Sequence, residues 1–170
     1  MKNENEYTVK DSVNIVKNLF KDKNLKHGRD SIKTGSLFFC SYDALNKMNV
    51  YDKRPFVLLL RQNRTHILGL NFHYLPVRKR TQLIKIILSF NKNNIKNKKP
   101  LDFTYKDFKS FFRTFGYIQC IRLYIRKRMS PVVVKIPPEQ LLPISKLNTS
   151  IFTNGVKAEQ IYKMQNKKNK

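Results

Sequence analysis

The residues best placed to do chemistry in this sequence are its cations. Arg78-Lys79-Arg80 follows Pro76 at the expected start of a helix. Unpaired backbone N–H groups and the helix dipole already favour an anion there. Arg126-Lys127-Arg128 is a second triplet, expected to close another helix, where its charges either relieve the C-terminal dipole or meet phosphate. Lys92, Lys96, Lys98 and Lys99 stud an Asn-rich loop, Arg64 stands in a turn, and Arg122 precedes the second triplet. None of these is placed to read base edges. The binding they predict is directed at backbone phosphates, weakly dependent on sequence and strongly dependent on salt.

The charge balance points the same way. Lys and Arg total 35 against 11 Asp and Glu, a formal net charge of +24 on 170 residues. That exceeds what solubility needs, and self-repulsion of this size opposes compaction unless a polyanion relieves it. A Lys- and Asn-rich composition accounts for the lysines but not for the scarcity of acids. No acidic residue occurs between Asp52 and Asp102, and a second acid-free stretch runs from Lys109 to Pro138. Hydrophobic residues at 41% and aromatics at 12% are enough for a core, so a disordered polycation is excluded.

Other chemistries find little support. The three histidines, His27, His66 and His73, do not combine with Cys40 and Cys120 into a metal spacing, and no metal or other cofactor is expected. Asp43 and Asp52 flank a loop and read as loop-forming or charge-pairing residues rather than a general acid and base. No phosphate loop, dinucleotide fingerprint or nucleophile elbow is present. The Phe108, Phe111, Phe112 and Phe115 stripe has helical spacing and belongs to a core. Tyr42, Tyr51, Tyr74 and Tyr105 sit near loops and strand ends and could stack on bases, but hydrogen-bonded structural roles weigh more. The short apolar runs exclude a membrane-spanning helix, and MKNENEYTVK has no signal-peptide character.

The elements that must position these residues predict one α+β domain over residues 35–147. An N-terminal basic arm with one helix (1–34) precedes it and a basic C-terminal tail (148–170) follows. Thr8 and Asp11 have the spacing of a capping box, and Val9, Val13, Val16 and Phe20 continue at helical period. SLFFCSY, FVLLL and HILGLNF read as strands, the last two as an antiparallel hairpin. Pro76 introduces a helix with Leu83, Ile84, Ile87 and Leu88 on its buried side. Thr104 and Asp107 repeat the capping spacing, Gly116 suits a helix end, and residues 117–129 are expected to continue as helix with Ile118, Ile121 and Ile125 aligned. VVVKIP is a β-branched strand closed by Pro137-Pro138. The sheet expected is small, strongly bent and antiparallel, a Src-homology-3-like barrel being one form of it, with two or three helices packed on it.

Residues 35–147 also resemble a family of small, basic, virion-associated proteins of large contractile-tailed bacteriophages. The resemblance rests on Tyr42-Asp43, on Tyr51-Asp52 with Pro55, and on Gly69-Leu70-Asn71 with His73-Tyr74-Leu75. Arg80, Cys120-Ile121 and Pro143 complete it. It departs at Lys53-Arg54, where a neutral or aromatic residue is expected before the proline. The resemblance implies a non-enzymatic virion protein of DNA end protector type. Such a protein shields packaged termini at the head–neck region, contacts portal or neck proteins, has no membrane association, and resides in the host cytoplasm during assembly. A structural adaptor for an acidic surface of another virion protein is the first alternative. The second is a metal-independent endoribonuclease, because Gly35-Ser36-Leu37-Phe38 and Lys53-Arg54-Pro55-Phe56 are similar to the opening of small-barrel toxins. There Arg54 would stabilise the pentavalent phosphate.

Overall fold

The computed structural model describes residues 6–44, 50–99, 101 and 105–167. Strands β1 (Lys26–Gly28), β2 (Leu37–Phe39), β3 (Phe56–Gln62), β4 (His66–Asn71), β5 (Ile121–Ile125) and β6 (Val132–Lys135) form one antiparallel sheet in the order β1-β6-β2-β3-β4-β5. The helices are α1 (Val9–Lys21), α2 (Val77–Phe90), α3 (Lys92–Lys96), α4 (Tyr105–Thr114), α5 (Pro138–Ser145) and α6 (Ala158–Lys167). The architecture is α+β, as the sequence predicts. The sheet is open, since β1 and β5 are its two edges, and is not a closed small barrel.

The 56–60 run of β3 is apolar at every position because both faces of the sheet are covered there. Phe56, Leu58 and Leu60 face one core, joined there by Val16 and Leu19 of α1, Leu83, Ile84 and Ile87 of α2, Phe112 of α4, Leu141 and Ile144 of α5, and Ile161 of α6. Val57 and Leu59 face a smaller core with Ile32, Phe38, Ile67, Tyr124, Met129 and Val133. The described helices contribute nothing to that second core. Residues 126–131, which carry the chain from β5 to β6, supply Met129 to it. In strand order β4, β3 and β2 lie between them, so the link covers four interstrand steps, about 19 Å in a flat sheet. Six residues, three of them in a tight 3-10 turn, would have no slack to climb over the side chains beneath. The sheet therefore curls, and a bridge between Tyr42 and Met129 ties the crossing segment to the chain beyond β2. A register shift between Leu59 and Arg61 adds to the bend.

Local signals explain most element ends. Thr8 Oγ1 accepts the Asp11 backbone N–H at 3.1 Å and donates to the Asp11 carboxylate at 2.7 Å. Pro76 is the N-cap of α2. Gly116, at φ +71°, follows α4, and its N–H reaches the Arg113 carbonyl at 3.2 Å. The Thr104/Asp107 spacing and the side chains of Tyr105 and Phe108 lie outside the described residues.

The helix expected over 117–129 is not formed. A 3-10 turn (Ile118–Cys120), β5 and a second 3-10 turn (Arg126–Arg128) occupy it. Ile121, Leu123 and Ile125 alternate with Arg122 and Tyr124, so the same residues satisfy a strand, and the ladder to β4 decides between the two periods. Residues 148–167, read as a tail, carry a 3-10 turn and α6 with Ala158 and Ile161 buried. Among the described residues no helix is long and apolar enough to cross a membrane.

Gly69 is the tightest point of the sheet. A Cβ there would lie 2.3 Å from Val57 Cγ1 and 3.2 Å from the Leu58 carbonyl oxygen. Gly69→Ala should therefore destabilise the fold by about 1–3 kcal/mol. Thermal unfolding checks this, and an unchanged midpoint would contradict the packing described.

Candidate nucleic-acid interface

Asp52 is a buried carboxylate in an acid-poor chain, and it organises the loop that carries Lys53 and Arg54. Its Oδ2 accepts the Asn71 side-chain amide at 2.9 Å and lies 2.9 Å from His73 Nδ1. Its Oδ1 accepts the Arg54 backbone N–H at 3.1 Å. Asn71 Oδ1 in turn accepts the His73 N–H at 2.9 Å. The His73 ring stacks on Phe152, with centroids 4.2 Å apart and planes at 11°. The 50s loop is thus fastened to the end of β4 and to the segment leading into α6. Asp52 is thus a loop-forming residue, one of the two roles the sequence predicts for it.

The tyrosines fasten the same loop from its other side. Tyr51 Oη donates to the Tyr42 carbonyl and accepts the Ala44 N–H. Tyr42 Oη accepts the Ile125 N–H at 3.3 Å, and its ring meets Tyr124 edge-on at 5.1 Å. The Tyr42 N–H reaches the Lys53 carbonyl at 3.1 Å. Tyr74 is buried beneath the Arg122 guanidinium, 5.0 Å from its ring centroid. These three tyrosines are structural.

Between this loop and the crossing segment opens a cleft of about 850 Å³. Lys53, Arg54, Lys127 and Arg128 line it, with Ser41, Ser130 and the rings of Tyr42 and Tyr51 between them. Its one acidic lining residue is Asp43, which Arg128 Nη1 contacts at 3.3 Å on Oδ2 and 3.2 Å on the backbone carbonyl. The Arg54 guanidinium stands 5.2 Å from the Phe20 ring centroid. Lys53 and Lys127 are exposed, and neither has an ion-pair partner among the described residues. Lys53, Arg54 and Lys127 thus line a concave wall without an ion-pair partner among the described residues, an arrangement of positive charge that favours an anion.

The other cations read from the sequence divide into two sets. Arg80 is not a phosphate contact. It is 1% exposed, its Nη1 donates to the Leu147 carbonyl at 3.0 Å and its Nη2 to Glu6 Oε1 at 3.0 Å. Burial lowers its pKa to about 10, against the opposing pull of Glu6, whose own pKa is raised mainly by burial. The residue one turn into α2 faces the seam between the N-terminal segment and the end of α5, so the helix start holds an internal ion pair rather than an external anion.

Lys79 is also engaged. Its Nζ donates to the Phe115 carbonyl at 3.0 Å, just past α4, and stands over the Tyr117 and Tyr162 rings. Arg122 Nη1 donates to the Gln119 and Ile121 carbonyls, both at 2.7 Å. Arg126 reaches Gln62 Oε1 at 2.8 Å and Asp30 Oδ1 at 2.6 Å, latching the crossing segment to both sides of the sheet. Arg64, Arg78, Lys92, Lys96, Lys98, Lys99 and Lys127 are exposed. They do not share one cleft. Lys127 and Arg128 enter the cleft at the Ser130 end of β6, whereas Lys98 and Lys99 line a groove at its Lys135 end. The sequence reading of DNA-binding cations did not include Lys53 and Arg54, Arg54 having been named only for the endoribonuclease alternative. Their signal was present in the Lys-Arg pair placed between Asp52 and Pro55. Cys40 and Cys120 are free and buried, and burial pushes the Cys120 thiol up to about 12, away from nucleophilic use.

Asp52→Ala should leave the buried Asn71 and His73 donors without an acceptor, costing about 3 kcal/mol. The melting midpoint should then fall by about 6–12 °C. Asp30 behaves differently. Hydrogen bonds from Arg29 and then Arg126 hold its carboxyl below the ordinary 3.8. The latch therefore contributes fully above that value and is lost as pH falls through the lower folded one. A carboxyl titration by NMR should show Asp30 ionising below 3.8, and Arg126→Gln should move it back towards 3.8.

Comparison with known proteins gives one match. Residues 1–167 fit the family model described as phage T4 terminal DNA protecting protein. Nothing among the curated proteins and nothing among the solved structures matches the chain.

Proposed function

The chain belongs to the phage T4 terminal DNA protecting protein family, and we propose that it is a non-enzymatic virion protein that binds DNA through backbone phosphates and covers the ends of the packaged genome. The observation that carries this reading is the convergence of Lys53, Arg54, Lys127 and Arg128 on one cleft with a single, already paired acid. Protection of an end is a steric task. An exonuclease must thread the terminus, so a protein that occupies the last turns of duplex blocks it without chemistry. The charge of +24 supplies general affinity, and the cleft supplies a fixed place for the strand. In the particle the protein sits at the head–neck region beside portal and neck proteins, having assembled in the host cytoplasm.

Two features favour binding over cleavage. The lining of the cleft offers Arg54 no histidine as a base among the described residues. The open six-stranded sheet also differs from the small barrel that the endoribonuclease reading requires. The adaptor reading uses the same cations against carboxylates of a neighbouring protein, and the salt response of DNA binding separates the two.

Linear duplex mixed with the protein should resist exonuclease, and closed circular DNA should compete poorly for that protection. Neutralising six to eight phosphates gives a log–log salt slope of roughly −5 to −7. The double variant Lys53→Ala/Lys127→Ala should reduce that slope by about 1.8 and weaken protection in step. A flat salt response would remove DNA as the partner, and protection abolished equally by circles would remove end preference.

A further inference from the structure

We propose that a lysine-lined groove at the far end of β6 is a second phosphate-binding site, separate from the arginine-bearing cleft. The inference rests on the nucleic-acid reading of the chain and assigns it an additional point of contact. The groove encloses about 480 Å³ between the Lys33–Gly35 turn, the end of β6 and the turn after α3. Lys33, Lys98, Lys99 and Lys135 line it together with His27, and among the described residues no carboxylate does. All four lysines are exposed, and none has an ion-pair partner among the described residues. Four like charges around one concavity repel one another, and that repulsion is relieved by a compact anion.

Backbone geometry gives a second, independent reason. Lys98 has φ +53°, in the left-handed region that L side chains rarely adopt. It follows α3 at the place where glycine or asparagine ordinarily ends a helix. The Lys98 and Lys99 N–H groups reach back to the Ile95 and Asn94 carbonyls at 3.1 and 2.8 Å, which fixes the turn. The opposite wall is fitted to this segment, since Gly35, at φ +88°, has the Leu101 carbonyl oxygen only 2.6 Å from where a Cβ would stand. A lysine held in a strained conformation beside three others is placed for its ammonium group rather than for its backbone.

The chemistry recognised is a phosphate group, from the backbone of a duplex or from its terminal monoester. The groove and the cleft stand at opposite ends of the paired β2 and β6 strands, on the order of 15 Å apart. One chain therefore holds nucleic acid at two places, and their contributions add.

The test is fluorescence anisotropy of a 20-base-pair duplex across a salt series, with and without a 5′-phosphate, in the full chain. Lys33→Ala/Lys135→Ala should lower the salt slope by about 1.8, and Lys98→Gly by about 0.9 without a loss of thermal stability. Combination with Lys53→Ala/Lys127→Ala should give additive losses. A loss confined to the phosphorylated duplex identifies the terminus as the ligand, and an equal loss on both identifies the backbone. A control pair outside both sites, Lys10→Ala/Lys163→Ala, should leave the slope higher than the groove pair does. Equal losses from the control and groove pairs, or an unchanged slope in the groove variants, would overturn the second site while leaving DNA binding intact. Absence of salt-dependent binding by the unmodified protein would overturn the nucleic-acid reading itself.

Discussion

A chain with 35 basic and 11 acidic residues must fold with too few counter-charges, and that shortage governs where its carboxylates stand. Each that is resolved in a contact sits at a junction. Glu6 meets Arg80 where the N-terminal segment joins α2, Asp30 meets Arg126 at the crossing segment, and Asp43 meets Arg128 at the cleft. Asp52 joins the 50s loop to the end of β4. Asp11 and Asp22 serve at the ends of α1. Where no carboxylate is available, backbone carbonyls take over, as for Lys79 and Arg122. Buried cations need acceptors whatever their source. The remaining cations are left facing water, and some of them gather in two acid-poor hollows while others, such as Arg64, Arg78, Lys92 and Lys96, stand outside both.

This division explains which site residues the sequence reading found and which it did not. A triplet such as Arg78-Lys79-Arg80 looks like one unit along the chain. On a helix its members point about 100° apart, so one faces water, one caps a neighbouring helix end and one enters the interior. Lys53 and Arg54 were not read among the DNA-binding cations because they form only a pair, yet a loop held by a buried carboxylate presents them together. The pairing of Lys98-Lys99 with Lys33 and Lys135 depends on β2 and β6 lying side by side, which no local pattern announces.

Legibility of the fold followed the same logic. The β3–β4 hairpin, α1 and α2 carry their signals within a few residues, in a turn, a capping pair or a proline, and all were read. The segment after Gly116 was misread because Ile118, Ile121 and Ile125 fit a helical period as well as a strand, and the choice is made by β4, some fifty residues earlier in the chain. The motif shared with the phage family has a physical content that the sequence alone did not show. Tyr51, Asp52, Asn71 and His73 are the fastening of one loop.

The placement of β6 between β1 and β2 has a temporal corollary. His27 pairs with Val133 and Phe39 with Val134, so the strand next to one edge of the sheet is made late in synthesis. A chain still emerging from the ribosome has the hairpin and its helices but lacks the strand that joins its first edge to the rest, and also lacks Met129, which closes the smaller core. Self-repelling cations will already be crowded together by then. Completion of the native state is therefore deferred to near the end of translation, and a truncated product ending before residue 132 would leave β1 without the strand that pairs it to β2.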